Sequence, residues 1–297
     1  MLNWKIENRT KIWGPLLCLL IFNISGQINA TELERGKYLT AAGGCMACHT
    51  ALEKGATPYA GGHALKTPFG IFYTPNITPD VETGIGGWQK SEFLAALKQG
   101  IRPDGSHYFP AFPYPSYTQM TDEDALSIFA YLKSLDPVVR KNRDHDVSAP
   151  FSWRWLQWGW KLLFFSDKPY SPSQGATTEE QRGGYLTNAL GHCAECHTPR
   201  NVLGGMVTDG AFSGVTKTDT IGEVPNITPD VKTGIGDWSL GDIVSFLETG
   251  MKPDFDDVQG NMEEVILYGT SKLTAEDRAA MAAYLKSLPA IQHKTSK

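Results

Sequence analysis

The chain has 297 residues, 41% of them hydrophobic and 20% charged, with a formal net charge of −5 at pH 7. That length suits two ordinary domains, and no low-complexity or polar tract argues for disorder. The acidic balance excludes a nucleic-acid partner and favours a basic or neutral protein face, with steering that salt weakens.

At the N-terminus, Lys5, Arg9 and Lys11 precede an apolar run from Ile12 to Ile24, and Ala30 offers a cleavage point. The run is short for a membrane span and fits the core of a secretory signal over residues 1–30, with an uncleaved anchor as the alternative. Cys18 lies inside that run. Removing Lys5, Arg9, Lys11 and Glu7 from the 27 basic and 32 acidic residues leaves 24 and 31, a net charge of −7.

The remaining four cysteines occupy two pentapeptides, Cys45-Met-Ala-Cys48-His49 and Cys193-Ala-Glu-Cys196-His197. Cys-x-x-Cys-His is the attachment pattern of a c-type haem: each thiol adds to a vinyl group, and the histidine becomes an axial ligand of the iron. A zinc ribbon would bring two cysteine pairs together as four ligands. A thioredoxin-like site would need a βαβ context. Neither suits two pairs that each carry their own trailing histidine. Two covalently bound haem c groups are therefore expected, on cofactor-binding residues Cys45, Cys48, His49, Cys193, Cys196 and His197. No thiol is left over for a disulfide, a nucleophile or a cysteine iron ligand.

Around these motifs the chain repeats itself. Pro75-Asn-Ile-Thr-Pro-Asp recurs at Pro225, and Ala130-Tyr-Leu-Lys-Ser-Leu135 recurs as Ala283–Leu288. Each unit predicts a first helix (about Glu32–Ala42, and Glu179–Leu190), the haem motif, and a Gly- and Pro-rich loop. A middle helix then starts near Trp88 or Trp238 and stops at Gly100 or Gly250, and a last helix is capped by Thr121 or Thr274. With no convincing strand, the expected fold class is all-α: two tandem domains, residues 31–136 and 177–290, similar to the class I cytochrome c fold. Pro75-Asn76-Ile77-Thr78 also fits a glycosylation sequon, but its repetition beside the haem motif favours a turn.

The loop before each last helix should supply the sixth iron ligand. Met262, twelve residues ahead of Thr274, is the candidate in the second unit, and His/Met ligation would give that iron the higher potential. In the first unit Met120 aligns with Leu273 at the position before the helix cap, where an apolar residue staples the first turn. His107 is accordingly the preferred ligand, with Met120 as the alternative. His63 and His192 are expected to serve as propionate or backbone partners.

Residues 137–176 form a connector. Between its prolines, Phe151–Phe165 holds four tryptophans and three phenylalanines in fifteen residues. Such a segment should pack across the two units, with a membrane-surface or partner contact through 151–165 as the sharper alternative.

The paired haem motifs, the Asn-Ile-Thr-Pro-Asp…Thr-Gly-Ile-Gly-x-Trp repeat, Phe109-Pro-Ala-Phe-Pro-Tyr114 and Cys196-His-Thr-Pro-Arg-Asn201 together resemble the cytochrome c subunits of bacterial membrane-bound dehydrogenases of the alcohol, gluconate and aldehyde type. The resemblance covers nearly the whole chain after residue 30. It implies an exported, periplasmic electron-transfer protein, associated with the inner membrane, that passes electrons from a dehydrogenase toward quinone or a terminal oxidase. The chain departs from better known members in having two haem motifs rather than three. It also has Phe112 where many relatives carry a methionine. The rival reading is a dihaem redox enzyme of the peroxidase or thiosulfate-oxidising type. A cysteine-ligated catalytic haem is disfavoured because no cysteine is spare, and an electron-transfer protein or subunit is preferred to a stand-alone enzyme.

Overall fold

The computed structural model describes Met1 and residues 30–217 and 222–293. The apolar N-terminal run, with Cys18, lies outside the described residues. In the first half, α1 (residues 30–42) leads into α2 (Cys45–Cys48), then β1 (Ala64–Thr67), β2 (Gly70–Tyr73), α3 (Lys90–Gln99), α4 (Tyr114–Tyr117) and α5 (Asp122–Lys133). The connector supplies β3 (Asp146–Val147) and α6 (Leu156–Phe164). The second half contains α7 (Thr178–Tyr185), α8 (Cys193–His197), α9 (Leu240–Thr249), α10 (Asn261–Tyr268) and α11 (Ala275–Ser287).

The helix ends follow their sequence signals. The Thr121 hydroxyl accepts from the Asp124 amide at 3.1 Å, and Thr274 accepts from Asp277 at 3.2 Å. Each side chain satisfies an amide that has no partner within the helix. Ser239 and Thr177 form capping boxes with Asp242 and Glu180. α3 and α9 end at Gly100 and Gly250, both left-handed. The first helix of the second half departs from its expected run to Leu190. After Tyr185 it widens into a π turn over Leu186–Leu190, just ahead of the attachment motif.

The first and last helices of each half touch backbone to backbone. A Cβ on Gly36 in α1 would stand 2.0 Å from the Ser127 carbonyl oxygen of α5. One on Gly183 in α7 would stand 1.8 Å from that of Ala280 in α11. Only glycine permits such an approach.

The all-α expectation is corrected here. β1 and β2 form an antiparallel hairpin, Ala64 opposite Tyr73 and Thr67 opposite Gly70, and β3 adds antiparallel to β2. The Thr67 hydroxyl closes the hairpin turn by accepting from the Phe69 amide at 3.2 Å. The signal was weak because the strands are four residues long and β3 comes from the connector. The halves are also not equivalent. At the place that this sheet holds in the first half, the second has the bridge of Val215 to Val224.

Buried apolar side chains of both halves form one continuous cluster, from Leu39 and Ile128 to Leu190 and Met281. A reciprocal exchange ties the halves. Tyr38 donates to Asp277 at 2.5 Å and accepts from the Thr274 amide at 3.2 Å. Tyr185 donates to Asp124 at 2.5 Å and accepts from the Thr121 amide at 3.2 Å. Arg35 pairs with Asp124 and Arg182 with Asp277, each within its own half.

The connector helix bridges as expected on one face only. Trp160 donates to the Leu203 carbonyl at 2.9 Å, and its ring packs beside Tyr114. Lys161 donates to the carbonyls of Gln99 and Gly100 at the end of α3. On the other face Trp155, Trp158 and Leu162 are exposed.

Gly36→Ala and Gly183→Ala should each lose about 1–3 kcal/mol of stability, as overpacking does. Gly159→Ala in α6, where nothing lies within 4 Å of the new methyl, should be neutral or gain up to ~1 kcal/mol. Urea denaturation of the three variants distinguishes these outcomes, and equal midpoints would contradict the backbone contacts.

Candidate functional site

α2 places the Cys45 and Cys48 thiols three residues apart on one helix face. His49 caps the helix, its amide donating to the Cys45 carbonyl at 2.9 Å. Its ring Nδ1 lies 2.8 Å from the Pro75 carbonyl oxygen. That bond puts the proton on Nδ1 and leaves Nε2 as the nitrogen with a lone pair, the tautomer a metal requires. Burial drives the imidazole pKa down to about 4 against the opposing bond to Pro75, so the ring is neutral. Burial likewise pushes Cys45 up to about 12 and Cys48 up to about 11, the latter helped by nearby Cys196 and Glu264.

The Pro75 carbonyl is held by the turn that follows it. Asn76 is 2% exposed. Its side-chain oxygen accepts from the Thr78 amide and hydroxyl, and its amide nitrogen donates to Thr83 and to the Val138 carbonyl. The chain beyond α5 is stitched down by these same side chains: Val138 and Arg140 donate their amides to Thr78 and Thr83. Asn76 is thus a turn residue, and its amide nitrogen is fully engaged.

Beside His49 opens a cavity of about 510 Å³. Cys45, Cys48 and His49 line it, with Ile77, Phe93 and Leu97 among its apolar residues, Phe112 from the loop before α4 and Tyr117 from α4 itself. Three guanidinium groups also reach it: Arg143 lies over the Tyr73 ring at 3.9 Å, Arg154 over Phe109 at 4.5 Å and Arg102 over Tyr108 at 5.8 Å. An apolar slot with cysteines, an imidazole and a cationic rim suits a flat apolar molecule bearing carboxylates.

The second half repeats the device. α8 carries Cys193 and Cys196, and His197 Nδ1 lies 2.7 Å from the Pro225 carbonyl oxygen. Burial again lowers the pKa of this imidazole. Asn226 accepts from Thr228 and donates to Thr233 and to the Ile291 carbonyl, while Ile291 and His293 donate their amides back to Thr228 and Thr233.

The two motifs are neighbours. The Tyr117 hydroxyl donates to the Gly43 carbonyl at 2.7 Å, and its ring meets that of His192 edge-on at 5.4 Å. Ser116 donates to Glu195 at 2.8 Å, and Glu195 pairs with Arg200. His63 Nδ1 lies 3.2 Å from the Ala47 carbonyl oxygen and 3.9 Å from Glu264 on α10. His63 thus has a backbone partner and His192 a ring partner.

The candidate sixth ligands fare differently. His107 does not line the cavity. Its Nδ1 lies 2.8 Å from the Lys161 ammonium, and its carbonyl accepts from Arg154. Met120 is 1% exposed within the core cluster. Met262 is the second residue of α10, a helix packed on α9 and α2. The Pro75 and Pro225 carbonyls went unrecognised in the sequence, because a backbone acceptor has no residue signature. His145, also at the cavity, was missed because it lies in the connector.

Comparison with known proteins adds a family and relatives. The cytochrome c family profile matches residues 33–136. A diheme cytochrome c-type protein of Cereibacter sphaeroides is 43% identical over 265 residues, covering 88% of this chain and 87% of its own. The alcohol dehydrogenase (quinone) cytochrome c subunit of Gluconobacter oxydans is 39% identical over 266 residues, 87% of this chain and 55% of its own. The gluconate 2-dehydrogenase cytochrome c subunit of Pantoea cypripedii is 38% identical over 272 residues, 89% and 61% respectively. The chain thus spans little more than half the length of these dehydrogenase subunits.

The Asp277 end of the exchange between the halves is acid-sensitive. Burial alone would raise the Asp277 pKa, yet the bonds from Arg182 and Tyr38 prevail and hold it below the usual carboxylate value. A depressed carboxylate contributes stability above its unfolded pKa and loses it as pH falls through the folded one. Arg182→Ala should therefore destabilise the protein at neutral pH, with the difference from wild type shrinking below about pH 4. Tyr38→Phe with Tyr185→Phe should cost about 1–3 kcal/mol. Urea midpoints measured from pH 7 to pH 3 test both.

Proposed function

This chain belongs to the cytochrome c family, and we propose that it is an exported dihaem electron-transfer protein working with a dehydrogenase. One haem c would be attached at Cys45 and Cys48 in the 31–136 unit and one at Cys193 and Cys196 in the 177–290 unit, with His49 and His197 as the imidazoles that would ligate the irons. The observation that carries the reading is the pair of histidines, each with Nδ1 committed to a proline carbonyl and each directly following its two cysteines. The haem supplies one-electron chemistry between ferric and ferrous iron. The chain fixes the ring tautomer, supplies Arg102, Arg143 and Arg154 for the carboxylates of the first group, and excludes water with Ile77, Phe93 and Leu97.

Met262 would be the second side chain to ligate the iron of the second site. A dehydrogenase partner is supported by relatives named as cytochrome subunits of alcohol and gluconate dehydrogenases, and quinone or a terminal oxidase is the proposed onward acceptor. Among the described residues no helix is long and apolar enough to cross a membrane. Periplasmic export through residues 1–30 and membrane-surface contact through 151–165 belong to the same proposal. The exposed Trp155, Trp158 and Leu162, at helical spacing on one face of α6, support that contact.

Purified protein should carry two covalent haems per chain by pyridine haemochrome assay, and Cys193→Ala with Cys196→Ala should carry one. Potentiometric titration should resolve two midpoints, with Met262→Ala lowering the higher one by on the order of 100 mV. A single haem per wild-type chain, or two midpoints unmoved by Met262→Ala, contradicts the assignment.

A further inference from the structure

The loops ahead of the two last helices share a backbone register. In the first half the Arg102 amide donates to Ser106, and the Tyr108 amide donates to Gly100. In the second the Lys252 amide donates to Asp256, and the Val258 amide donates to Gly250. The bridges Ile101–His107 and Met251–Asp257 complete the match. Tyr108 is thus equivalent to Val258. Four residues further on, Phe112 stands at the position that Met262 holds in the second half.

Phe112 lines the same cavity as Cys45, Cys48 and His49. Its ring lies 5.3 Å from that of Tyr108 and 5.8 Å from that of Tyr117. The Tyr117 hydroxyl is committed to the Gly43 carbonyl. A phenyl ring has no lone pair to offer iron. The side chains that could replace it are placed elsewhere or otherwise engaged. His107 lies against Lys161 outside the cavity, and Met120 is sealed in the core. Among the described residues no methionine or lysine lines the cavity, and His145 is its one imidazole besides His49. His145 Nδ1 accepts the Tyr73 amide at 3.2 Å, and its ring packs against Phe72 and Phe109.

We infer that the first site leaves the sixth position of its iron to an external ligand, a small neutral molecule of the carbon monoxide or nitric oxide kind; this rests on haem attachment at Cys45, Cys48 and His49. Phe112, Tyr108 and Tyr117 form an aromatic wall, and the guanidinium groups of Arg102, Arg143 and Arg154 at the same cavity are those that would hold the haem carboxylates, so a further anion would bury a charge with no free partner, which is costly. A neutral diatomic meets no such penalty. The second site, with Met262 in the equivalent position, is closed to the same ligand. The two halves of one chain thus divide the work, one for ligand capture and electron exchange, the other for electron exchange alone.

The test is carbon monoxide titration of the dithionite-reduced, full-length holoprotein, read by difference absorption, after its covalent haems have been counted by pyridine haemochrome assay. Wild type should bind one carbon monoxide per two haems. Phe112→Met, which installs a thioether at the equivalent position, should reduce that at least tenfold. His107→Ala and His145→Ala should leave the wild-type stoichiometry unchanged. A wild-type chain with two haems that binds no carbon monoxide overturns the inference while leaving haem attachment intact, and the histidine variant that then gains binding names the true ligand. A chain with no covalent haem overturns the underlying reading instead.

Discussion

Two carboxylates hold this structure in register. Asp124 and Asp277 each lie in the first turn of a last helix, where acidic side chains complement the helix dipole. Each is reached by an arginine from the first helix of its own half and by a tyrosine from the first helix of the other. The same tyrosine oxygen accepts the amide of the capping threonine. Helix capping, the crossing of terminal helices and the docking of the halves are therefore one set of bonds. The result is an arrangement in which Gly43 and His192, next to opposite attachment motifs, share a single tyrosine neighbour.

That proximity matters for the proposed role. Electron exchange between two sites requires that their groups be held close without touching, and a rigid, reciprocal interface achieves this with few residues. The exchange is nearly symmetric, but what surrounds the two sites is not. The first is flanked by a sheet, a rim of arginines and a loop ending in Phe112. The second has a bridge in place of the sheet and a short helix carrying Met262.

Much of this was readable beforehand. The threonine caps, the terminal glycines of the middle helices and the apolar spacing of Ala125, Ile128, Phe129 and Leu132 are local signals, and the structure follows them. The attachment motifs lie where a helix face can present them. What the sequence did not disclose was relational. The sheet takes its third strand, β3, from the connector, so no local window contains all of it. His107 looked available because its partner, Lys161, is 54 positions away. The backbone carbonyls of Pro75 and Pro225 take part through position alone.

The stitching of chain onto the Asn-Ile-Thr turn bears on how such proteins grow. In the first half the segment that follows α5 is sewn to Asn76, Thr78 and Thr83 before the connector departs. Residues 291–293 are sewn to Asn226, Thr228 and Thr233 in the same manner. In each half the support for the histidine is therefore complete at the seam. Further sequence can be added beyond such a seam without disturbing the unit behind it, whereas a cut made ahead of the seam would loosen the proline carbonyl that orients the ring. Extension is cheap and truncation is not, an asymmetry suited to a family whose members share this stretch and differ in length.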